Sequence, residues 1–347
     1  MEVLNLTSRK RETYKVQLKY SVLWECVLGI AAITNTSIIS TLEKPVEYWK
    51  EIKESLPVKL LVELDYVENK NTWKALLQLL HQRDFTDLKE FNHYIQELPI
   101  PDFKFICLPF IGNNYQEFRR NASLGDQLAM KEMMKITSDN SFFPCYIEFI
   151  CGANGKRLKE HLINVMTGWF EEVIMKDVEQ LHAILQTDHE MKREMADKMS
   201  AEELVEWTTG GITYSPELNV SNVLLIPQYI YRPWNIEADL EDTKVFYYPI
   251  TNESITPNNR YIPNNFLVIK HKALGDEVRL RMVKLLDEQN LSLQDITEQL
   301  NIGKSTIHHH LKILRAAKLV EIIDAKYALK RKSLDVLSKE LEFYLNQ

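Results

Sequence analysis

The feature that most constrains this chain is the run from Ser292 to Val320, SLQDITEQLNIGKSTIHHHLKILRAAKLV. Ser292 precedes an apolar-periodic stretch, Leu293, Ile296 and Leu300, and Asp295 follows it by three residues. That is the spacing of a capping box, with Asp in place of the usual Glu or Gln. Asn301-Ile302-Gly303 reads as a short turn in which Gly303, lacking a Cβ, permits the chain reversal. A further helix, Lys304 to about Ala317, would hold Ile307, Leu311 and Leu314 on its inner face. Ser305, Thr306, His308, His309 and Lys312 fall on its other face. Two short helices joined by a tight turn make a helix-turn-helix, whose second helix enters a DNA major groove with its N-terminal residues at the base edges. The hydroxyls and imidazoles of this face can hydrogen-bond bases or phosphates, and Lys304 and Lys312 bring charge toward phosphate. His310 is expected at the core edge with a satisfied hydrogen bond. Consecutive histidines on a helix point in different directions, so His308, His309 and His310 are not expected to close a metal site.

The flanks extend the pattern. Asp276 can cap a helix from Glu277 to about Leu286, with Val278, Met282, Leu285 and Leu286 inward. After the helix pair, residues 319–323 and 326–330 are strand-like around Asp324-Ala325, forming a hairpin wing. Lys326, Lys330, Arg331 and Lys332 would lie beside the phosphate backbone. Ser333 reads as the cap of a last helix whose Leu334, Leu337, Leu341 and Leu345 form an apolar stripe. Such a stripe needs a partner, either a second copy or the rest of the chain. The net charge of −7 argues against a nucleic-acid ligand, but its distribution does not. Residues 303–332 hold eight basic against two acidic side chains, a local +6 on an otherwise acidic chain.

The segments ALGDEVRLRMVKLL and SLQDITEQLNIGKSTIHHHLKILRAAKLV, with the hairpin after them, resemble the ArsR family of bacterial winged-helix repressors. The resemblance covers about Phe266 to Leu345, with His308 standing where the family usually has Ser. It implies a homodimer on a palindromic double-stranded operator, and repression relieved by an effector. Metal sensors of the family carry Cys in the first helix of the pair or Asp/His ligands on the last helix. SLQDITEQL has no Cys and SLDVLSKELEFYL no His, so the resemblance implies no metal and no other cofactor. Earlier in the chain, YSVLWECVLGIAAI, NVLLIPQYIYRPW and VFYYPI are similar to an N-terminal domain of unassigned function found fused to ArsR-type modules.

The rest of the chain reads as mainly α. A long helix is expected over Tyr14 to Ile39, and others over Pro45 to Leu56, Trp73 to Leu80, Phe85 to Leu98, Gly125 to Thr137, Lys156 to Gln186 and Met191 to Trp207. Pro99, Pro101 and Pro109 are expected to break the pattern between them. β-branched and aromatic runs at 220–226, 228–231 and 244–250 predict a small antiparallel sheet, and 251–265 a polar linker. The expected division is a helical sensor or dimerisation domain over 1–262 and a winged helix-turn-helix, α+β in class, over 266–347.

Composition adds limits. At 347 residues with 45% hydrophobic residues the chain can bury a core without staples. Cys26, Cys107, Cys145 and Cys151 form no CxxC pair and are expected as reduced, mostly buried thiols of a cytoplasmic protein. No signal peptide or membrane span is read, because Glu25 and Asn35 interrupt the longest apolar stretch. No phosphate loop, zinc-protease or serine-nucleophile motif occurs, so no catalytic residue is assigned. Glu25 is expected at the solvent edge of its helix, the alternative being a buried functional carboxylate. Trp169, Phe170, Trp207, Tyr229, Tyr231 and Trp234 are expected in the core, the alternative being a pocket for a small effector. The reading of the whole is a DNA-binding transcription regulator that is not an enzyme; the alternative is an enzymatic N-terminal domain tethered to a DNA-binding module.

Overall fold

Parallel strands need a long crossover, and in this chain a string of helices supplies it. The computed structural model describes residues 13–217, 219–256, 261–263, 265–335 and 337–345. It divides into two units, one formed by residues up to 201 with 215–250, the other by 202–214 with 251–347.

The first unit opens with a strand, β1 (Lys15–Leu18), where the sequence predicts the start of a long helix. Val16 and Leu18 fit the helical spacing of the apolar residues that follow, which hides a four-residue edge strand. Ser21, in extended backbone, takes the Leu23 N–H on its Oγ at 3.1 Å and starts α1 (Val22–Ile33). There follow α2 (Thr36–Ile39), α3 (Val46–Ser55), α4 (Val58–Lys70), α5 (Trp73–Leu80), α6 (Leu88–Glu97), α7 (Ile100–Cys107), α8 (Gln116–Ser123), α9 (Gln127–Ile136), α10 (Phe143–Gly152), α11 (Gly155–Trp169) and α12 (Val178–Ala196). Pro99 and Pro101 do not break a helix. They begin α7, where Pro is tolerated because the first N–H groups have no helical partner. The helix expected over 156–186 is two, with one π turn (Phe170–Ile174) and one 3-10 turn (Met175–Asp177) between α11 and α12.

The sheet is mixed rather than antiparallel. Its order is β1-β2-β4-β3, with β2 (Asn222–Gln228), β3 (Ile236–Leu240) and β4 (Thr243–Pro249). Both β1 and β4 run parallel to β2, and β3 alone is antiparallel, to β4. The signal lay in the sequence: VLLIP and VFYYP do not alternate apolar with polar, as strands buried on both faces do not. Leu224, Ile226, Val245 and Tyr247 join the large helical core, while Val223, Leu225, Phe246 and Tyr248 are buried on the opposite face. The mainly α class holds for the chain as a whole.

Two features of α1 fix its place. Gly29 lies so close to α11 that a Cβ there would sit 2.8 Å from the Trp169 indole nitrogen. Glu25, expected at the solvent edge, is instead 2% exposed. Its carboxylate accepts the backbone N–H groups of Tyr229 and of Ile230 (3.1 Å), the first residues after β2. Burial raises its pKa from 4.5 to about 7, against the lowering effect of those two N–H groups. Long cations close several helix ends: Lys159 donates to the Gln96 carbonyl (2.9 Å) and to that of Leu98, Lys104 to that of Cys151 (2.6 Å), and Arg119 to that of Leu108 (3.1 Å). Cys26, Cys107 and Cys151 are buried free thiols and Cys145 is an exposed one.

The second unit takes in a segment that the sequence placed with the N-terminal half. It comprises residues 202–214, which include most of α13 (Ala201–Thr208), then α14 (Asn252–Ile255), α15 (Asn265–Leu274), α16 (Glu277–Glu288), α17 (Leu293–Leu300), α18 (Lys304–Ala316), β5 (Val320–Ile323), β6 (Lys326–Leu329), α19 (Arg331–Asp335) and α20 (Leu337–Leu345). Part of the expected linker, 257–260 and 264, lies outside the described residues. Gly210 (φ 69°) and Gly211 (φ 115°) seat the early segment on the later one: a Cβ would meet the Phe266 ring at 2.3 Å from the first and Lys318 Cβ at 2.9 Å from the second. Lys270 on α15 bonds Glu340 on α20 at 2.7 Å.

Two outcomes follow from α1. Gly29→Ala is expected to destabilise the first unit by about 1–3 kcal/mol, since the buried indole has no room to retreat; an unchanged denaturant midpoint would show that it does. Glu25 binds its proton more tightly folded than unfolded, so its stabilising contribution is full below about pH 4.5 and is lost as pH rises through about 7. Glu25→Gln cannot ionise, so between about pH 5 and pH 8 it should lose up to roughly 3 kcal/mol less stability than the parent. Parallel pH profiles in urea denaturation would contradict this.

Candidate nucleic-acid interface

The helix pair is locked before its outer face is presented. Ser292 caps α17 by accepting the Asp295 N–H at 3.2 Å, and Asp295 returns the bond by accepting the Ser292 N–H at 2.8 Å. Hydrogen bonding of the Asp295 carboxyl to the Ser292 hydroxyl and to the Ser292 N–H holds it below its ordinary pKa. The turn is made differently from the expectation. Asn301, not Gly303, takes the left-handed conformation (φ 53°). Gly303 has φ −55°, and a Cβ there would meet Thr306 Oγ1 only at 4.0 Å, so the reversal does not require glycine there. Asn tolerates that conformation better than other residues with a side chain.

Within α18, Ile307, Leu311 and Leu314 are at most 1% exposed. They share a core with Met282, Leu286, Ile296 and Leu300. Lys304, Ser305, Thr306, His308, His309 and Lys312 are all exposed. Arg315, which the sequence reading passed over, is exposed as well. Its helical spacing from Lys304, His308 and Lys312 puts it on their side. His310 turns inward, 3.3 Å from the Arg279 guanidinium through Nδ1, beside Asp276, which caps α16.

The wing is a two-residue hairpin, β5–β6, whose Asp324 (φ 48°) and Ala325 (φ 61°) are both left-handed, as a type I′ turn requires. Its basic residues divide. Lys326, Arg331 and Lys332 are exposed. Lys330 instead donates to the Gly211 carbonyl, and burial pushes its ammonium pKa down. Arg331 pairs with Asp287 at 2.7 Å and also donates to the Asp287 carbonyl at 3.1 Å. Ser333 is no helix cap: it lies within α19 and is buried, its N–H bonded to the Lys330 carbonyl at 3.0 Å. On α20, Leu341 is 37% and Leu345 71% exposed.

Among the described residues of the first unit, Thr72, His161 and Glu63 form an acid–base constellation of catalytic form. Thr72 Oγ1 is 2.8 Å from His161 Nε2, and His161 Nδ1 bonds the Glu63 carboxylate, which also accepts from Asn164 at 3.1 Å. Thr72 is fully buried and burial lowers the His161 pKa. A hydroxyl with no exposure meets no substrate, so the arrangement serves to tie α4, α5 and α11 together. Of the six aromatics weighed as pocket lining, Trp169 is core, Trp234 is 44% exposed, and Trp207 belongs to the second unit. Thr72→Val should cost about 1–3 kcal/mol by leaving the imidazole nitrogen unpaired, whereas Thr72→Ser should retain most of the stability; equal denaturation midpoints for the two variants would refute the tie.

Comparison with known proteins bears on the second unit. Residues 276–321 match the family described as bacterial regulatory protein, arsR family. Over 49 residues, 14% of this chain, the sequence is 39% identical to the transcriptional repressor SdpR of Bacillus subtilis (strain 168). The chain spans about half the length of that relative, 54% of it. No solved structure matches. With the capped helix pair, the turn and the hairpin already in place, these matches show that residues 276–321 form an ArsR-family helix-turn-helix domain, and they leave the first unit unassigned.

Proposed function

We propose that this chain is a sequence-specific DNA-binding repressor acting as a homodimer on a palindromic operator, with α18 in the major groove. One observation carries the reading: α18 buries one row of side chains and leaves Lys304, Ser305, Thr306, His308, His309 and Lys312 together in solvent. In this reading Thr306 and His309 meet base edges. Lys304, Lys312 and Arg315 meet phosphate, as does Lys326 on the wing. Lys330 is left out of the contact set because the Gly211 carbonyl already holds it, whereas Arg331 is exposed and can exchange Asp287 for a phosphate. Repression is carried over from SdpR, which is named a transcriptional repressor. Pairing of two copies is supported by the exposed leucines of α20 and by the half-site spacing of about 34 Å that a palindrome imposes on two recognition helices. Among the described residues no helix is long and apolar enough to cross a membrane, which suits a regulator that meets DNA in the cytoplasm. The first unit serves as a sensing or pairing platform rather than as a catalyst, and a small effector bound there would shift the dimer between states that fit and miss the operator.

Fluorescence anisotropy of the full chain on genomic duplexes selected by binding tests this. Affinity should fall about 10³–10⁵-fold between 50 and 200 mM salt if six to ten phosphates are neutralised. Thr306→Ala and His309→Ala should each weaken operator binding by about 1–3 kcal/mol and spare random DNA, while Lys312→Ala should weaken both alike. Failure to retain any duplex at low salt would end the proposal.

A further inference from the structure

We infer that the first unit binds a small aromatic carboxylate in the crevice between the end of β1 and the start of α1. A cavity of about 240 Å³ lies there, open on one side. Its walls come from three places: Lys19, Tyr20, Ser21 and Trp24 on the β1–α1 connection, Arg83, Asp84 and Phe85 after α5, and His189 on α12. The crevice lies outside the carboxyl end of the edge strand β1, where the chain turns into α1. The volume is below the ~300–1,000 Å³ of ordinary ligand clefts, which limits the occupant to a small molecule.

The wall chemistry sets the class. Tyr20, Trp24 and Phe85 supply flat apolar surface. Tyr20 is braced by His189 (ring centroids 4.9 Å apart) and by His182 (5.5 Å). Arg83 is held over the Phe85 ring at 5.0 Å and the Tyr94 ring at 4.8 Å, with Glu90 3.3 Å away. Trp24 is 6% exposed and its indole N–H is sealed from solvent, so it offers a ligand contact surface and no hydrogen bond. The Lys19 ammonium bonds the Asp84 carboxylate at 2.7 Å, and that carboxylate is 76% exposed on its side chain. An ion pair so open to water is weak. Asp84 therefore stands where the carboxylate of a bound molecule would stand, and can yield the ammonium to it.

The inference concerns the first unit alone and does not depend on the DNA-binding reading. Its test is calorimetric titration of the full chain, without DNA, using benzoate, phenylacetate and indole-3-acetate against the neutral analogue benzamide. At least one of the acids should bind, tenfold or more tightly than benzamide. Lys19→Met should weaken that acid at least tenfold, and Asp84→Asn, which frees Lys19 at an exposed position, should tighten it severalfold. The opposing signs exclude general unfolding as the cause, and Arg83→Ala gives a second loss if Lys19→Met misfolds. Absence of heat with all three acids, equal affinity for benzamide, or weaker binding in Asp84→Asn would overturn the assignment.

Discussion

A helix can offer one face to a ligand only if its other face is held, and in α18 the grip is three side chains, Ile307, Leu311 and Leu314, closed against α16 and α17. Everything proposed for the interface depends on it. The capping box fixes where α17 begins, the left-handed Asn301 fixes the angle at which the chain re-enters a helix, and the inner row then dictates which residues face outward. Lys304, Lys312 and Arg315 of α18 lie outside the core and take no part in building this frame. Fold and ligand recognition are thus carried by separate rows of one helix.

The first unit is organised by a different rule. Its sheet is small and its central strands are buried on both faces, so backbone and side-chain polar groups must be satisfied from within. Glu25 does this for the segment leaving β2, Lys104, Arg119 and Lys159 for carbonyls at helix ends, and the Glu63–His161–Thr72 chain for three helices at once. Groups that would suggest chemistry in a cleft here serve as ties. The crevice beside β1 is otherwise: Lys19 and Asp84 are both solvent-facing, so their pairing is exchangeable.

Much of the second unit was legible because its signals are local. Ser292 with Asp295, the inner row of α18 and the Asp324-Ala325 turn each declare themselves within a few residues. The structure departs from local pattern where a neighbouring residue takes a role or a distant one supplies the contact. Gly303 invites assignment as the left-handed residue, yet neighbouring Asn301 carries it. Lys330 stands in a basic run, but the carbonyl it bonds, that of Gly211, is distant in sequence. In the first unit strand direction was misread, because aromatic and β-branched composition marks a strand without giving its sense, and Lys15–Leu18 has too few residues to show a period. Glu25 was missed for a related reason: its partners are backbone N–H groups some two hundred residues away, which no pattern around position 25 reveals.

The second unit is assembled from two separated stretches of chain, and this bears on how it can be handled. A fragment cut at the boundary that the sequence suggests, near 266, would omit the Gly210-Gly211 elbow. The Phe266 ring and the Lys318 stem would lose their cover, and Lys330 would lose the carbonyl that holds it. The excised piece would thus gain one loose cation and one bare aromatic, making it stickier and more basic than the parent. Its affinity for any polyanion would then overstate that of the intact molecule.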